Sequence, residues 1–192
     1  MPVALVIRLV FWLWFGAAVA AGHFLVLQRI PPPAIPGIIF GLTGLVLLGY
    51  FALRSVREWV DRLDLRTLVL LHLTRFVGIY FLVLFQRGEL PRAFAVPGGI
   101  GDLAVATLAL PVALAPLAEP QRLRAIFIWN VVGLADIALV LATAVRINLA
   151  DPAQLHALTY LPLSLLPTFL VPLIIATHVI IFVRVAGAPR IP

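Results

Sequence analysis

The stretch LVLLHLTRFVGIYFLVLFQ, residues 68–86, is long and apolar enough to cross a lipid bilayer as a helix. Its first half nevertheless contains two polar side chains, His72 and Arg75. A charged side chain inside a spanning helix is costly, so it usually faces a protein partner or a water-filled cavity. The stretch therefore predicts a membrane protein with a buried polar site.

The composition of the whole chain favours the same class. Of the 192 residues, 63% are hydrophobic and 11% are charged, and the mean hydropathy is +1.13. A soluble domain has about 25% charged residues. The apolar runs are continuous, whereas membrane β-strands alternate apolar and polar residues. We therefore expect an all-α integral membrane protein, a bundle of about six transmembrane helices plus a short interfacial amphipathic helix.

The predicted spans form a single polytopic membrane domain that covers residues 1–192. The first apolar run includes Ala18-Val19-Ala20, which resembles a signal-peptide cleavage site. The run continues to Leu27, which favours a span. The expected spans are residues 3–27, 34–53, 68–86, 99–117, 125–145 and 160–183.

The interfacial helix is predicted for residues 55–66, SVREWVDRLDLR, where apolar residues recur at helical spacing between charges. Ser55 and Glu58 match a capping box, and Glu58 with Arg62 is an i,i+4 pair. Trp59 would anchor the helix at the membrane surface. The alternative is an ordinary solvated linker helix.

The arginines predict how the chain is oriented. One side of the expected bundle would hold the arginines of residues 55–66, and the other would hold Arg29, Arg87, Arg92 and Arg146. The excess of basic residues lies on the first side, so the positive-inside rule places both termini in the cytoplasm. We expect a multi-pass protein of a bacterial inner membrane. The first side would also hold Arg8, Arg122, Arg124, Arg184 and Arg190.

Several kinds of chemistry are excluded by composition. The chain has no cysteine, which excludes disulfides, thiolate metal sites and iron–sulfur clusters. All 14 basic residues counted as Lys or Arg are arginines, which excludes a catalytic lysine. These arginines lie between apolar runs rather than on one face, so the net charge of +6 does not indicate nucleic-acid binding. We find no catalytic motif.

The depth of the polar residues, taken from the helical rise per residue, predicts which of them meet. His72, Asn130 and His178 would share one layer near the cytoplasmic side. Arg75 and Asp136 would lie about a turn deeper, within reach of each other. These five residues are the predicted ligand-binding or proton-binding site.

One interpretation of this site is small-solute or proton-coupled transport. Arg75 would bind an anion, while Asp136 and the histidines would exchange protons. Pro167 and Pro172 interrupt the sixth span, and broken helices are common at transporter sites.

A second interpretation is a b-type haem protein for redox chemistry or sensing, with His72 and His178 as axial ligands at one depth. A metal site of His72, His178 and Asp136 is a weaker variant, because no close ligand spacing appears.

A third interpretation is a structural subunit of a membrane complex, with Arg75 and Asp136 as an ion pair. The partners would be the lipid bilayer and a homo-oligomer or larger membrane complex. Gly37 and Gly41 form a GxxxG pair, which is typical of a tight helix–helix contact.

Two further residues are predicted on the outer side, His23 and Asp102. Asp102 follows Gly98-Gly99-Ile100-Gly101, and we expect it to cap the fourth helix or offset its dipole. The alternative is an outer gate residue that meets His23.

Overall fold

The computed structural model describes residues 3–187, and 87% of these residues are helical. No strand occurs within this described part. Arg190, which the sequence analysis places among the cytoplasmic arginines, lies outside these residues. The α-helices are α1 (Val3–His23), α2 (Ile35–Ala52), α3 (Arg54–Asp61), α4 (Leu65–Leu71), α5 (Gly78–Gln86), α6 (Arg92–Leu114), α7 (Glu119–Ala150) and α8 (Val171–Ala186).

In the described part of the chain, six helical segments are long and apolar enough to cross a membrane, as the sequence predicts. The third combines α4, a 3₁₀ segment at His72–Val77, and α5. The last combines a π-helical turn at Leu166–Leu170 with α8. The six segments are Val3–His23, Pro32–Ala52, Leu65–Gln86, Arg92–Leu114, Glu119–Ala150 and Leu166–Ala186.

The fourth of these segments differs from its expected bounds in a way that matters for the site. It begins at Arg92 rather than at residue 99, directly after Pro91. Pro97 and the glycines that follow it indicate a loop in the sequence, yet they lie inside α6. Small residues in a helix allow a neighbouring helix to come close, and α5 packs on α6 along this stretch.

The interfacial stretch also differs from its prediction. α3 begins after Leu53 without a side-chain cap, so the capping box at Ser55 is wrong. Glu58 accepts from Arg54 Nε at 2.8 Å rather than pairing with Arg62. The chain then turns, and Asp64 caps α4 by accepting from the Arg66 amide at 2.9 Å. The position of this stretch at a membrane surface stays a prediction.

The described chain divides into two compact units. The first contains the residues up to Arg62 together with Val145–Ala176. In it, α2 packs against α3 and the π-helical turn, and Trp14 Nε1 donates to the carbonyl of Thr168 at 2.8 Å. A single domain over the whole chain stays a prediction.

The second unit contains Leu63–Ala144 and the residues from Thr177 onward. α4, the 3₁₀ segment and α5 all pack on α6. Trp129 Nε1 on α7 donates to the carbonyl of Val105 on α6 at 3.0 Å, which joins those two helices. The buried polar residues described below lie in this unit.

The predicted helix contact at Gly37 and Gly41 is not formed among the described residues. A Cβ added at Gly37, Gly41 or Gly44 would meet nothing within 4 Å. These glycines therefore leave one face of α2 open.

Candidate functional site

The 3₁₀ segment His72–Val77 aligns the two polar residues of the third span. In a 3₁₀ helix, side chains three residues apart lie directly above one another. His72 and Arg75 are three apart, and both are 0% exposed. The local change of helix type therefore points both side chains into the same interior.

The guanidinium of Arg75 lies between two carboxylates from different helices. Its Nε donates to Asp102 Oδ1 on α6 at 2.6 Å, and its Nη2 donates to Asp136 Oδ2 on α7. Its Nη1 donates to the main-chain carbonyl of Gly133 at 3.0 Å. The side chains of Arg75, Asp102 and Asp136, which we call the Arg75 cluster, are 1%, 7% and 15% exposed.

Asp102 has a different position from the one the sequence predicts. The cap is wrong, because α6 begins ten residues earlier at Arg92 and Asp102 lies in its interior. Asp102 is a counter-charge of Arg75, and its position toward the outer side of a membrane stays a prediction. His23, the other outer-side candidate, is exposed at the end of α1, where its ring contacts Phe24.

Glycines make room for the Arg75 cluster. A Cβ at Gly78 would lie 2.7 Å from the carbonyl oxygen of Gly99 and 2.8 Å from Asp102 Cβ. A Cβ at Gly101 would overlap the carboxylate of Asp136. The glycine-rich run at residues 98–101 is therefore a packing surface, which brings α5, α6 and α7 close around Arg75.

Two histidines lie beside this cluster. The rings of His72 and His178 have centroids 4.3 Å apart, and both residues are 0% exposed. Trp129 contacts both rings, with centroids 4.9 Å from His72 and 5.8 Å from His178. Gly133 joins the pair to the cluster, because a Cβ there would lie 3.1 Å from His178 Nε2.

Asn130 determines the tautomer of His178. Its Nδ2 donates to the main-chain carbonyl of His178 at 3.0 Å, which turns its Oδ1 toward His178 Nδ1 at 2.7 Å. An amide oxygen only accepts, so Nδ1 carries the proton in the neutral ring. Nε2 is then unprotonated and can only accept a hydrogen bond, and no donor among the residues that the structure describes lies within hydrogen-bonding distance of it.

The histidine pair does not fit haem b. An axial imidazole binds its metal at about 2 Å, so two of them on opposite faces hold their nitrogens about 4 Å apart and their ring centres farther still. Centroids 4.3 Å apart leave no space for a macrocycle between the rings. One nitrogen of each ring is also engaged, His72 Nε2 with Thr177 Oγ1 at 3.2 Å and His178 Nδ1 with Asn130.

The proposed metal set is not assembled either. Within residues 3–187, no group of three or more His, Cys, Asp or Glu side chains is arranged to hold a metal ion. Asp136 is directed to Arg75 instead.

The structure thus brings together all five residues of the predicted ligand-binding or proton-binding site. It adds four groups to them: Asp102, Thr177, Trp129 and the carbonyl of Gly133. Asp102 lies near the start of the expected fourth span, and an acidic residue inside a predicted span is a signal for an inward-facing, paired carboxylate. The carbonyl of Gly133 leaves no signal in the sequence, because every residue has one.

Over residues 3–187, these features define an all-helical fold with six helices of spanning length and a buried site of arginine, carboxylate and histidine side chains. The chain belongs to the family described as Domain of unknown function (DUF8737), which matches residues 32–186. No curated protein and no solved structure is detectably similar to it.

We predict that Gly78→Ala destabilises the protein by about 1–3 kcal/mol, because the added methyl overlaps the α6 backbone and Asp102. Thermal unfolding in detergent measures the effect. Gly41→Ala is the matched control, since its methyl meets nothing within 4 Å and the change should be neutral or stabilising by up to about 1 kcal/mol. Equal losses in both variants would contradict the packing role of Gly78.

Proposed function

We propose that this chain is an integral membrane protein that binds one proton at the Arg75 cluster and couples it to the movement of a small solute. Its six long helices cross a bacterial inner membrane, and both termini face the cytoplasm. The observation that carries the proposal is the placement of one buried arginine between two carboxylates.

Membrane insertion is supported by the surface of the long helices. Large apolar side chains are exposed along them, and a water-soluble monomer rarely exposes extended apolar surface. Charged residues lie mainly near helix ends and in connections, while the Arg75 cluster is buried. This distribution is typical of a chain whose solvent is lipid.

Charge balance favours proton binding. Arg75 keeps its positive charge under all ordinary conditions, because a guanidinium does not lose its proton in proteins. With both carboxylates ionised, the Arg75 cluster carries one uncompensated negative charge. An uncompensated charge in an apolar interior is unfavourable. Uptake of one proton makes the cluster neutral.

The geometry allows this proton to come and go without leaving Arg75 unpaired. Nε bonds to Asp102 while Nη2 bonds to Asp136, so either carboxylate can take a proton while the other remains the counter-ion. Breaking a buried pair by removal of its only partner costs about 3–5 kcal/mol. Two partners avoid that cost. In this proposal Arg75 is the fixed counter-charge rather than an anion ligand.

Irregular backbone in two spans supports coupling to a conformational change. The third span changes to 3₁₀ geometry at the site itself, and such a change within a helix often marks a hinge. The last span begins with a π-helical turn that contains Pro167, and Pro172 follows it. Interrupted helices of this kind are common in transporters.

The orientation is testable because the chain has no cysteine. We predict that a cysteine at exposed Gln154 reacts with an impermeant maleimide in spheroplasts, whereas one at exposed Ser55 reacts only after the membrane is opened. Three long helices separate these positions, so they should lie on opposite sides. Reaction of both from one side would contradict the proposed topology.

Proton binding is testable by infrared spectroscopy of the purified protein. Near neutral pH, where exposed carboxyl groups are ionised, we predict the carbonyl band of one protonated carboxylic acid, which disappears as the pH rises. Asp102→Asn and Asp136→Asn should each remove it, because the remaining carboxylate stays ionised beside Arg75. Asp151→Asn, at an exposed position on the second half of the chain, should leave it.

A band that is absent at every pH in the wild type would mean that both carboxylates are permanently ionised. The Arg75 cluster would then be a structural network, and the proton-coupled function would be wrong.

Coupling is testable in everted membrane vesicles that contain the protein. We predict that at least one solute from a panel of amino acids, sugars and organic acids dissipates an imposed pH gradient, and that Asp136→Asn abolishes this response. A pH-sensitive dye measures the gradient, and Asp151→Asn is the control. An unchanged response in inserted Asp136→Asn protein would remove Asp136 from the coupling step.

A further inference from the structure

The two carboxylates of the Arg75 cluster are not equivalent. The Asp136 side chain is 15% exposed, whereas Asp102 is 7% exposed and Arg75 is 1% exposed. Of the three groups, Asp136 is therefore the one with the most access from outside the interior. Asp102 is the more deeply buried carboxylate of the two, and its Oδ1 accepts from Arg75 Nε at 2.6 Å.

The exposed edge of Asp136 lies in the middle of α7, far from either helix end. The residues one turn before and after it, Val132 and Leu139, are 50% and 59% exposed. On α6, Ile100 is exposed, and Gly101 next to it has no side chain to cover the Asp136 carboxylate. The Asp136 carboxylate is therefore partly exposed between Gly101 on α6 and the apolar residues of α7, and we call this place the notch.

A second observation places another proton-accepting atom beside the cluster. His178 is 0% exposed, and its Nε2 is a bare acceptor without a donor among the described residues. A Cβ added at Gly133 would lie 3.1 Å from this atom, and the Gly133 carbonyl accepts from Arg75. The region around Arg75 therefore has an unused buried acceptor in addition to its two carboxylates.

We propose that Asp136 is the carboxyl at which the Arg75 cluster exchanges its proton, through the notch at Gly101, while Asp102 remains the ionised counter-ion of Arg75. This assignment rests on the proposed function and names the residue that performs it. It makes Asp136 a site of covalent modification by apolar carbodiimides, which enter the lipid phase.

The chemistry of that modification selects a protonated carboxyl. The acid transfers its proton to one carbodiimide nitrogen, and its oxygen bonds to the central carbon as one C=N π bond is lost. The acyl group then migrates from that oxygen to nitrogen, which gives a stable N-acylurea. The product contains every atom of the two reactants, and no oxidant or further reactant is needed.

The test is the reaction of the membrane-embedded wild-type protein with dicyclohexylcarbodiimide, followed by peptide mapping by mass spectrometry. We expect the adduct on Asp136, with a yield that falls by about tenfold per unit of pH above the midpoint of its titration. A water-soluble carbodiimide should instead modify exposed carboxyls such as Asp151, Glu89 and Glu119. Mapping the wild type requires no variant to fold.

A variant provides the sharper control. In Asp102→Asn, Asp136 is the remaining carboxylate of the cluster and should stay ionised beside Arg75. We therefore expect its labelling to fall by about tenfold or more, although Asp102 is not the labelled residue. Asp151→Asn should leave the labelling of Asp136 unchanged.

The other outcomes overturn the inference. An adduct on Asp102 with none on Asp136 would make the inner carboxyl the exchanging group. If Asp102→Asn leaves the labelling of Asp136 unchanged, Asp102 is not the ionised counter-ion that allows Asp136 to hold the proton. If the infrared band is present but neither residue is labelled, the notch is not the route, and the proposed function survives. If the infrared band is absent, the cluster binds no proton, and both the proposed function and this inference are wrong.

Discussion

The pairing of the Arg75 guanidinium with two carboxylates is the interaction on which the rest of the site depends. A guanidinium does not become neutral when it is buried, so the surrounding helices must supply its counter-charge. Asp102 on α6 and Asp136 on α7 do so from two directions. This requirement fixes the relative rotation of three helical segments, because each must present one particular residue to the same point.

Close approach of the helix backbones makes that pairing geometrically feasible. Glycines stand at two positions where a side chain would displace a member of the Arg75 cluster, Gly78 on α5 and Gly101 on α6. Gly133 on α7 serves twice, since its carbonyl accepts from Arg75 and its bare Cα leaves space for His178. The carboxylates and the histidines are thereby parts of one buried polar network, in which a proton gained by one group changes the field felt by the others.

Much of the fold can be predicted from local properties of the chain. Six apolar runs of spanning length are a matter of composition along the sequence, and all six become helices. The meeting of Arg75 with Asp136 follows from counting the helical rise inward from the ends of two runs. The misplaced start of α6 has a specific cause: Pro97 and its neighbouring glycines indicate a loop, although in this helix they serve packing against α5.

The sequence by itself determined the all-helical class, the number of long apolar helices and which polar residues stand inside them, because length and composition belong to each segment separately. Only the tertiary structure decided that Asp102 is a counter-ion of Arg75 and that His72 and His178 are too close for a haem. Those facts are distances between side chains on different helices. Such distances depend on how closely the backbones pack and how each helix is rotated, and neither is encoded in any one segment.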